Sequence, residues 1–277
     1  MLSPNGRHNG DGRGGHVTVA VVGLGYWGPN LLRVLAEMPG VSIGAICDLD
    51  ADRLHRFGRR HPGVLATTNL DDVLDDPGID AVVIATPVFT HFDLAARSLA
   101  AGKHTFVEKP LAASADQADE LAAMADEHGV ALMCGLTFLY SPSVRAVKQL
   151  IDSGEHGEIY FISSSRVNLG LHQRDVSVVW DLGPHDFSIL LYWLEEEPEL
   201  VTGIGRDSIV PGIPDVAFVD LRFPSGIVAH VELSWLAPSK LRRTVVVGSE
   251  KMVVYDDGAS EPIRIFDRGI VYQDPET

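Results

Sequence analysis

From residue 17 to about residue 135 the chain alternates short, wholly apolar runs with segments in which apolar residues recur at helical spacing. Apolar runs of strand length suit strands buried on both faces, so the alternation predicts a doubly wound parallel sheet flanked by helices. The strands are expected at residues 17–22, 41–47, 80–85, 105–107 and 131–134. Helix punctuation agrees. Leu31, Leu32 and Leu35 repeat after the first run, and Thr90 with Asp93 and Ser114 with Gln117 have capping-box spacing, their helices stopped by Gly102 and Gly129. Ser141 and Pro142 open a further helix with the stripe Val144, Val147, Leu150 and Ile151, ended by Gly154. Beyond it the period falls to two. Ile227, Ala229, Val231, Leu233 and Trp235 share one face, and strands are expected at 216–223, 227–235, 244–247 and 252–255 with turn-rich separators at 224–226 and 248–251. One polar and one apolar face predict a largely antiparallel, open-faced sheet. The fold class is therefore α/β, a doubly wound N-terminal domain at 17–135 and a C-terminal α+β domain at 136–277, behind a Gly- and Asn-rich head at 1–16 read as disordered.

The first strand runs into Gly23-Leu24-Gly25-Tyr26-Trp27-Gly28 and then a helix. Glycines spaced G-x-G-x-x-G at that point serve a sharp turn, the approach of a pyrophosphate to the main chain, and close helix–strand packing, and the helix N-terminus favours a phosphate. Asp48 ends the second run 20 residues beyond Gly28, where a carboxylate accepts hydrogen bonds from a ribose diol and repels a 2′-phosphate. The expected cofactor is NAD, with NADP as the other possibility. Tyr26 and Trp27 stand at the mouth of the turn, where they either line the cofactor site or pack on the first helix.

Composition narrows the function classes. The chain has 277 residues, 45% apolar and 22% charged, with 22 Lys and Arg against 38 Asp and Glu, a net charge of −16. That balance argues against a broad nucleic-acid or anionic-membrane surface. The two cysteines, Cys47 and Cys134, build no disulfide framework, no histidine pair reads H-E-x-x-H, and no metal site is expected. No apolar run approaches the ~20 residues that span a bilayer and residues 1–16 lack a signal-peptide core, so the cytoplasm is the expected location.

Two segments carry candidate chemistry. Glu108-Lys109-Pro110 follows a strand of the parallel sheet at the end where such sheets bind ligands. A lysine there can hydrogen-bond a substrate hydroxyl and stabilise alkoxide charge, or the segment is a plain surface turn. The Lys109–Pro110 bond is a candidate cis peptide. Asp181-Leu182-Gly183-Pro184-His185 leads into an apolar helix; if the helix begins by Asp181, the two side chains share a face and His185 can act as acid/base with Asp181 as its support. The competing reading makes Asp181 the helix N-cap with Pro184 in the first turn.

Taken in order, Gly23-x-Gly25-x-x-Gly28, Thr86-Pro87 with His91, Glu108-Lys109-Pro110, and Asp181-x-Gly183-x-His185 resemble the Gfo/Idh/MocA oxidoreductases over residues 17–255. The resemblance implies a Rossmann domain, an open-faced sheet domain that commonly mediates homo-oligomer formation, and NAD(P)-dependent hydride transfer at a sugar, cyclitol or nucleotide-linked sugar. It further implies that Lys109 is catalytic, His185 the acid/base and Asp181 its partner, that Thr86, Pro87, His91 and Glu108 lie along the cofactor, and that Arg166 and Asn168 contact substrate. Two departures stand out: the motif often continues to an Asp where this chain has Ser188, with Asp186 nearby, and relatives usually continue into a further helical segment beyond the sheet. The alternative function is a non-catalytic dinucleotide-binding sensor or structural subunit, and redox-neutral chemistry with transient NAD reduction would use the same residues.

Overall fold

The computed structural model describes residues 15–170, 172 and 176–268. Apart from Gly15 and His16, the head lies outside the described residues. The chain divides into two compact units, one ending at Gly135 and one beginning at Leu136.

The first unit runs β1 (Val17–Val22), α1 (Gly28–Glu37), β2 (Val41–Cys47), α2 (Ala51–Gly58), β3 (Leu65–Thr67), α3 (Asp71–Leu74), β4 (Ala81–Ile84), α4 (His91–Ala100), β5 (His104–Val107), α5 (Ala115–His128) and β6 (Leu132–Cys134). Its six strands lie in the order β3-β2-β1-β4-β5-β6, all parallel. Both faces are buried, as the wholly apolar runs require. Ala20, Val22, Val82 and Ile84 pack with Leu99 and Leu121 on one side, while Val19, Val21, Ile46 and Val83 pack with Leu32 and Leu54 on the other. The order reverses between β1 and β4, which makes their C-terminal ends the switch point where a crevice forms in open sheets.

Register aligns this edge. Cys47 pairs with Val22, Val22 with Ile84, Ile84 with Val107, and Val107 with Cys134. The residues one step beyond that row are Asp48, Gly23, Ala85, Glu108 and Gly135, so the sequence motifs emerge side by side from adjoining strands.

The second unit contains α6 (Pro142–Asp152), β7 (Ile159–Leu169), α7 (Val178–Leu194), β8 (Leu200–Arg206), β9 (Val216–Arg222), β10 (Val228–Ser234), β11 (Leu236–Gly248), β12 (Met252–Asp256) and β13 (Ile263–Phe266). Its sheet has the order β13-β12-β11-β7-β10-β9-β8. Among the described residues only the β7–β10 pair of this sheet is parallel, because the chain crosses between them through α7 and the β8–β9 hairpin. Ile162, Ala229, Val231, Leu233 and Val246 face α6 and α7, with Trp193 of α7 buried among them and its indole N–H donating to the Val144 carbonyl at 2.9 Å. The other face carries Phe161, Phe218 and Val228, and His230 lies 2.7 Å from Asp220.

Two local expectations need correction, and one strand is not expected from the sequence at all. Thr90 stands at the start of α4, yet no capping box forms with Asp93: its hydroxyl lies 2.7 Å from both the Thr86 hydroxyl and the Pro87 carbonyl, and residues 88–90 form a single 3-10 turn. The strand expected at 244–247 is the end of a 13-residue strand whose first half is too polar to show the alternation. β8 has every residue exposed, so no apolar run marks it.

One buried polar contact joins α7 to the sheet. Asp186 accepts hydrogen bonds from Arg166 Nε and from the Ser164 hydroxyl (2.7 Å), and Ser164 in turn lies 2.9 Å from the Thr244 hydroxyl. Arg166 is 4% and Asp186 3% exposed. Removing one member of such a pair strands a buried charge and costs about 3–5 kcal/mol, whereas replacing both with apolar residues relieves most of that penalty. Urea unfolding of Asp186→Ala should show a loss in that range and Arg166→Met/Asp186→Leu a smaller one; a double variant no better than the single would show that charge burial is not what the pair manages.

Candidate active site

The three glycines of the first turn have different surroundings. Gly23 has φ +91°, its N–H donates to the Cys47 carbonyl (2.8 Å), and an added Cβ would lie 2.7 Å from the Ala85 carbonyl oxygen. At Gly28 a Cβ would lie 1.8 Å from the Gly23 carbonyl oxygen. Both positions are closed to any side chain. Gly25 is the opposite case, for a Cβ there would meet nothing nearer than Arg53 Nη1 at 3.9 Å. It leaves open space over the turn where a bulky ligand group can approach the main chain, and the N-terminus of α1 begins three residues later. A dinucleotide pyrophosphate fits that cradle. Tyr26 and Trp27, 80% and 50% exposed, meet edge to face with ring centroids 5.6 Å apart beside it. Side chains so exposed are not fillers of the first core.

Asp48 is 8% exposed. Its Oδ2 accepts the Leu24 N–H (2.6 Å) and its Oδ1 the Asp50 N–H (2.8 Å), so the carboxylate ties the glycine turn to the start of α2. Each oxygen retains a second lone pair with which to accept from a ribose hydroxyl. The guanidinium of Arg53 stands 3.5 Å from Asp48 Oδ2 and 3.2 Å from Asp50 Oδ2.

His91 joins the next two strand ends. Its Nε2 lies 2.9 Å from the Thr86 carbonyl after β4 and its Nδ1 2.8 Å from the Pro110 carbonyl after β5, at 1% exposure. The imidazole is thus committed to holding the Thr86-Pro87 and Glu108-Lys109-Pro110 segments together. The Lys109–Pro110 bond is cis. Burial raises the pKa of Glu108 above its ordinary value, opposed by a hydrogen bond with the backbone of Lys109 and by the charge of its side chain.

In the second unit α7 begins at Val178, with Ser177 as the residue before it. Asp181 therefore lies inside the first turn, not at the cap, and Pro184 is interior. Asp181 and His185 stand four apart on one helix face. The Trp235 indole N–H donates to Asp181 Oδ2 at 3.0 Å. The His185 ring meets Phe138 edge-on, centroids 4.9 Å apart, and the Arg166 guanidinium carbon lies 4.6 Å from the centre of the same Phe138 ring. Arg166, expected as a substrate contact, has its Nε committed to Asp186 and supports the His185 environment through Phe138. Its Nη1 and the Asn168 Oδ1 are buried and have no hydrogen-bond partner among the described residues.

Arg53, Phe138 and Trp235 stand among these groups although no sequence motif marks them as site residues. Arg53 carries a weak signal, a cation within two turns of Asp48 and Asp50; Phe138 carries none, since it belongs to a short 3-10 turn with no periodicity. Among the described residues no group of three or more His, Cys, Asp or Glu is placed to hold a metal ion. Burial raises the Cys47 and Cys134 thiols to about 11, which leaves them unreactive as thiolates near neutral pH. No helix among the described residues is long and apolar enough to cross a membrane.

Comparison with known proteins bears directly on this arrangement. Residues 17–136 match the oxidoreductase family with an NAD-binding Rossmann fold, GFO_IDH_MocA, and residues 144–254 match the GFO/IDH/MocA C-terminal domain. Among curated proteins the chain is 31% identical over 248 residues to scyllo-inositol 2-dehydrogenase (NAD(+)) of Bacillus subtilis, covering 84% of this chain and 72% of that protein. Among solved structures, GenD2 from gentamicin A biosynthesis in complex with NAD has a TM-score of 0.83 at 30% identity, over 92% of this chain and 75% of that one. The WlbA dehydrogenase of Bordetella pertussis, in complex with NADH and UDP-GlcNAcA, shares the fold with a TM-score of 0.83 at 20% identity, over 93% of this chain and 84% of that one. Two matched domains that together span most of the chain, each with the strand order and motifs described above, place this protein in the Gfo/Idh/MocA family of oxidoreductases.

Proposed function

We propose that this protein is a dehydrogenase or ketoreductase that moves a hydride between NAD(P) and a carbinol or ketone of a sugar, cyclitol or nucleotide-linked sugar. The observation that carries the reading is the aligned row of strand ends, which sets the Gly23–Gly28 turn, Asp48, Thr86-Pro87 and Glu108-Lys109-Pro110 along one edge of the parallel sheet. Gly25 gives the pyrophosphate access, Asp48 receives the adenosine ribose, and Tyr26, Trp27, Thr86, Pro87 and Glu108 flank the cofactor, with His91 holding the last two loops. A bound nicotinamide supplies the hydride chemistry. Lys109 is assigned the hydrogen bond to the reacting oxygen and His185 the proton exchanged with it. Asp181 orients that face of α7 from its position one turn earlier, held by Trp235. Arg166 Nη1 and Asn168 Oδ1 are polar atoms that a hydroxyl-rich substrate can satisfy.

Support for a polyol or sugar substrate comes from the relatives, of which one is an inositol dehydrogenase and another was crystallised with a nucleotide sugar. The alternative, a dinucleotide-binding sensor or structural subunit, predicts cofactor binding without turnover. Association through the face of the second sheet that carries Phe161, Phe218 and Val228 is part of the same proposal, to be measured by sedimentation.

The cofactor part is tested by heat stabilisation and by NADH fluorescence. NAD at 100 times its Kd should stabilise the fold by about 2.7 kcal/mol. Gly25→Val should weaken NAD binding at least tenfold while folding normally, because its Cβ has room, whereas Gly28→Ala should compromise folding itself. Unaltered affinity in Gly25→Val would remove the turn from the site.

The chemical part is tested by Lys109→Met and His185→Ala, screened against inositols, sugars and nucleotide sugars for NADH production. Each should lower kcat by roughly 10²–10⁴-fold with the Kd for NADH within about twofold of the parent. Full turnover in both variants would sink their assignment, and binding without turnover of any substrate would favour the sensor reading.

A further inference from the structure

Asp215 belongs to none of the motifs above and has no part in the cofactor or proton chemistry assigned so far. It stands immediately before β9 and is 0% exposed. A carboxylate taken so far out of water is costly unless it accepts hydrogen bonds. Its Oδ2 accepts the N–H groups of Ser208 and Ile209, both at 2.8 Å, while its Oδ1 has no hydrogen-bond partner among the described residues. One oxygen thus clamps the two ends of the β8–β9 loop, residues 207–215, to each other. Inside the loop Val210 bridges Ile213, and the Gly212 N–H donates to Asp207 Oδ2 at 2.6 Å.

What the clamp holds is the backbone at 214–215, and its two carbonyls lead to one place. The Pro214 carbonyl accepts the Val178 N–H and the Asp215 carbonyl accepts the Trp235 N–H, each at 2.9 Å. Val178 is the first residue of α7, and Ser177 before it makes no side-chain capping bond. The Pro214 carbonyl therefore does what a cap would do, taking a first-turn N–H and fixing where the helix starts. Asp181 lies in that turn. The Trp235 indole donates to Asp181 Oδ2 at 3.0 Å, and Trp235 itself is pinned, 1% exposed, with its own carbonyl accepting the Gly170 N–H at 3.0 Å. Asp215 thereby sets both the helix turn that carries Asp181 and the indole that orients it.

We propose that Asp215 is a positioning residue for the reaction: by holding the loop closed it fixes the Asp181 carboxylate, and with it the helix face that presents His185. The proposal rests on the roles given to Asp181 and His185 above. Asp215 acts only through Pro214, its own carbonyl and Trp235. What the site requires is an acceptor for two N–H groups, not a charge. Asparagine keeps an oxygen there, and its amide falls where Oδ1 has no hydrogen bond to lose, whereas alanine leaves the Ser208 and Ile209 N–H groups without their partner.

The experiment compares the parent with Asp215→Ala, Asp215→Asn, Asp181→Ala and Asp215→Ala/Asp181→Ala, all well below their unfolding temperatures. It measures kcat and KM with the inositol, sugar or nucleotide sugar that gives most NADH in the screen above, the Kd for NADH, and the NMR resonance of the Trp235 indole N–H, assigned with Trp235→Phe. Asp215→Ala should lower kcat about tenfold or more, with KM and the NADH Kd within about threefold of the parent. It should also move the indole resonance toward its position in Asp181→Ala. Asp215→Asn should keep kcat within about threefold. In the Asp181→Ala background the same Asp215→Ala change should lower kcat by no more than about twofold, because the group it positions is gone. A merely structural residue would lower stability and leave the indole resonance and the kcat of the folded protein where they were, or would multiply its effect in the double variant; either result overturns the proposal. Should Asp215→Ala fail to fold, Ser208→Pro deletes one of the two donated N–H groups and leaves no donor unpaired. It should move the resonance in the same direction with a smaller loss of kcat, and no movement of either overturns the proposal. A parent chain that turns over none of these compounds removes the roles of Asp181 and His185 and this proposal together, while an active parent with an equally active Asp215→Ala overturns only the latter.

Discussion

The approach of α1 to the end of β1 is the constraint on which the nucleotide half depends. With a Cβ at position 28 destined to lie 1.8 Å from the Gly23 carbonyl oxygen, helix and strand can meet only if position 28 carries no side chain, while a Cβ at Gly23 is excluded by Ala85 and Thr86 beyond β4. Once they meet, the turn is stitched on both sides: Gly23 N–H to Cys47 and Leu24 N–H to Asp48 on the β2 side, and Gly23 packed against Ala85 on the β4 side. The same closeness leaves Gly25 with nothing to touch but Arg53. Two glycines close the turn and the third keeps it open, so the spacing that looks like one motif serves packing twice and ligand access once.

The second unit is organised by a buried charge. Asp186 is drawn to Arg166 and Ser164 on the sheet, and because successive helix residues are turned by about 100°, that anchorage fixes which way the neighbouring residues point. His185 is rotated toward Phe138, and Asp181, one turn earlier, toward Trp235 at the junction of β10 and β11. The acid at position 186 is therefore a determinant of helix orientation. A pair this deeply buried is seldom a source of stability; what it secures is a rotation of α7 that an apolar pair would leave to packing alone. Gly183 belongs to the same arrangement, since a Cβ there would lie 2.6 Å from Phe187 Cε2.

Much of this is legible from the residues, for reasons that differ between the halves. A strand buried on both faces has to be apolar throughout, so β1, β2 and β4 announce themselves, and the glycine turn, Asp48 and Thr86-Pro87 follow from where those strands end. In the second unit the alternation at 227–235 marks β10, but β8, exposed along its whole length, and the polar first half of β11 have no burial to mark them. Asp181 resembles a cap because aspartate so often is one; the helix instead starts at Val178, where tertiary packing of Val178 in the core outweighs the local preference. Arg53 carries only the weak signal of a cation close in sequence to Asp48 and Asp50, and Phe138 escapes a reading of the sequence because it sits in a turn without period.

An acidic chain that binds an anion poses an electrostatic question that the net charge of −16 does not answer. Screening confines the influence of exposed charges to about 10 Å, so the field at a phosphate is set by what lies next to it. In the first unit α2, α3, α4 and α5 each carry at least one aspartate in the first turn, which offsets the positive end of the helix dipole. α1 carries none. Its N-terminus, directly behind the Gly25 opening, has no carboxylate in its own first turn to offset the positive end of the dipole. The distribution of carboxylates among helix ends, rather than their total, thus leaves one end of one helix fit to receive a pyrophosphate, and it is the end that the three glycines expose.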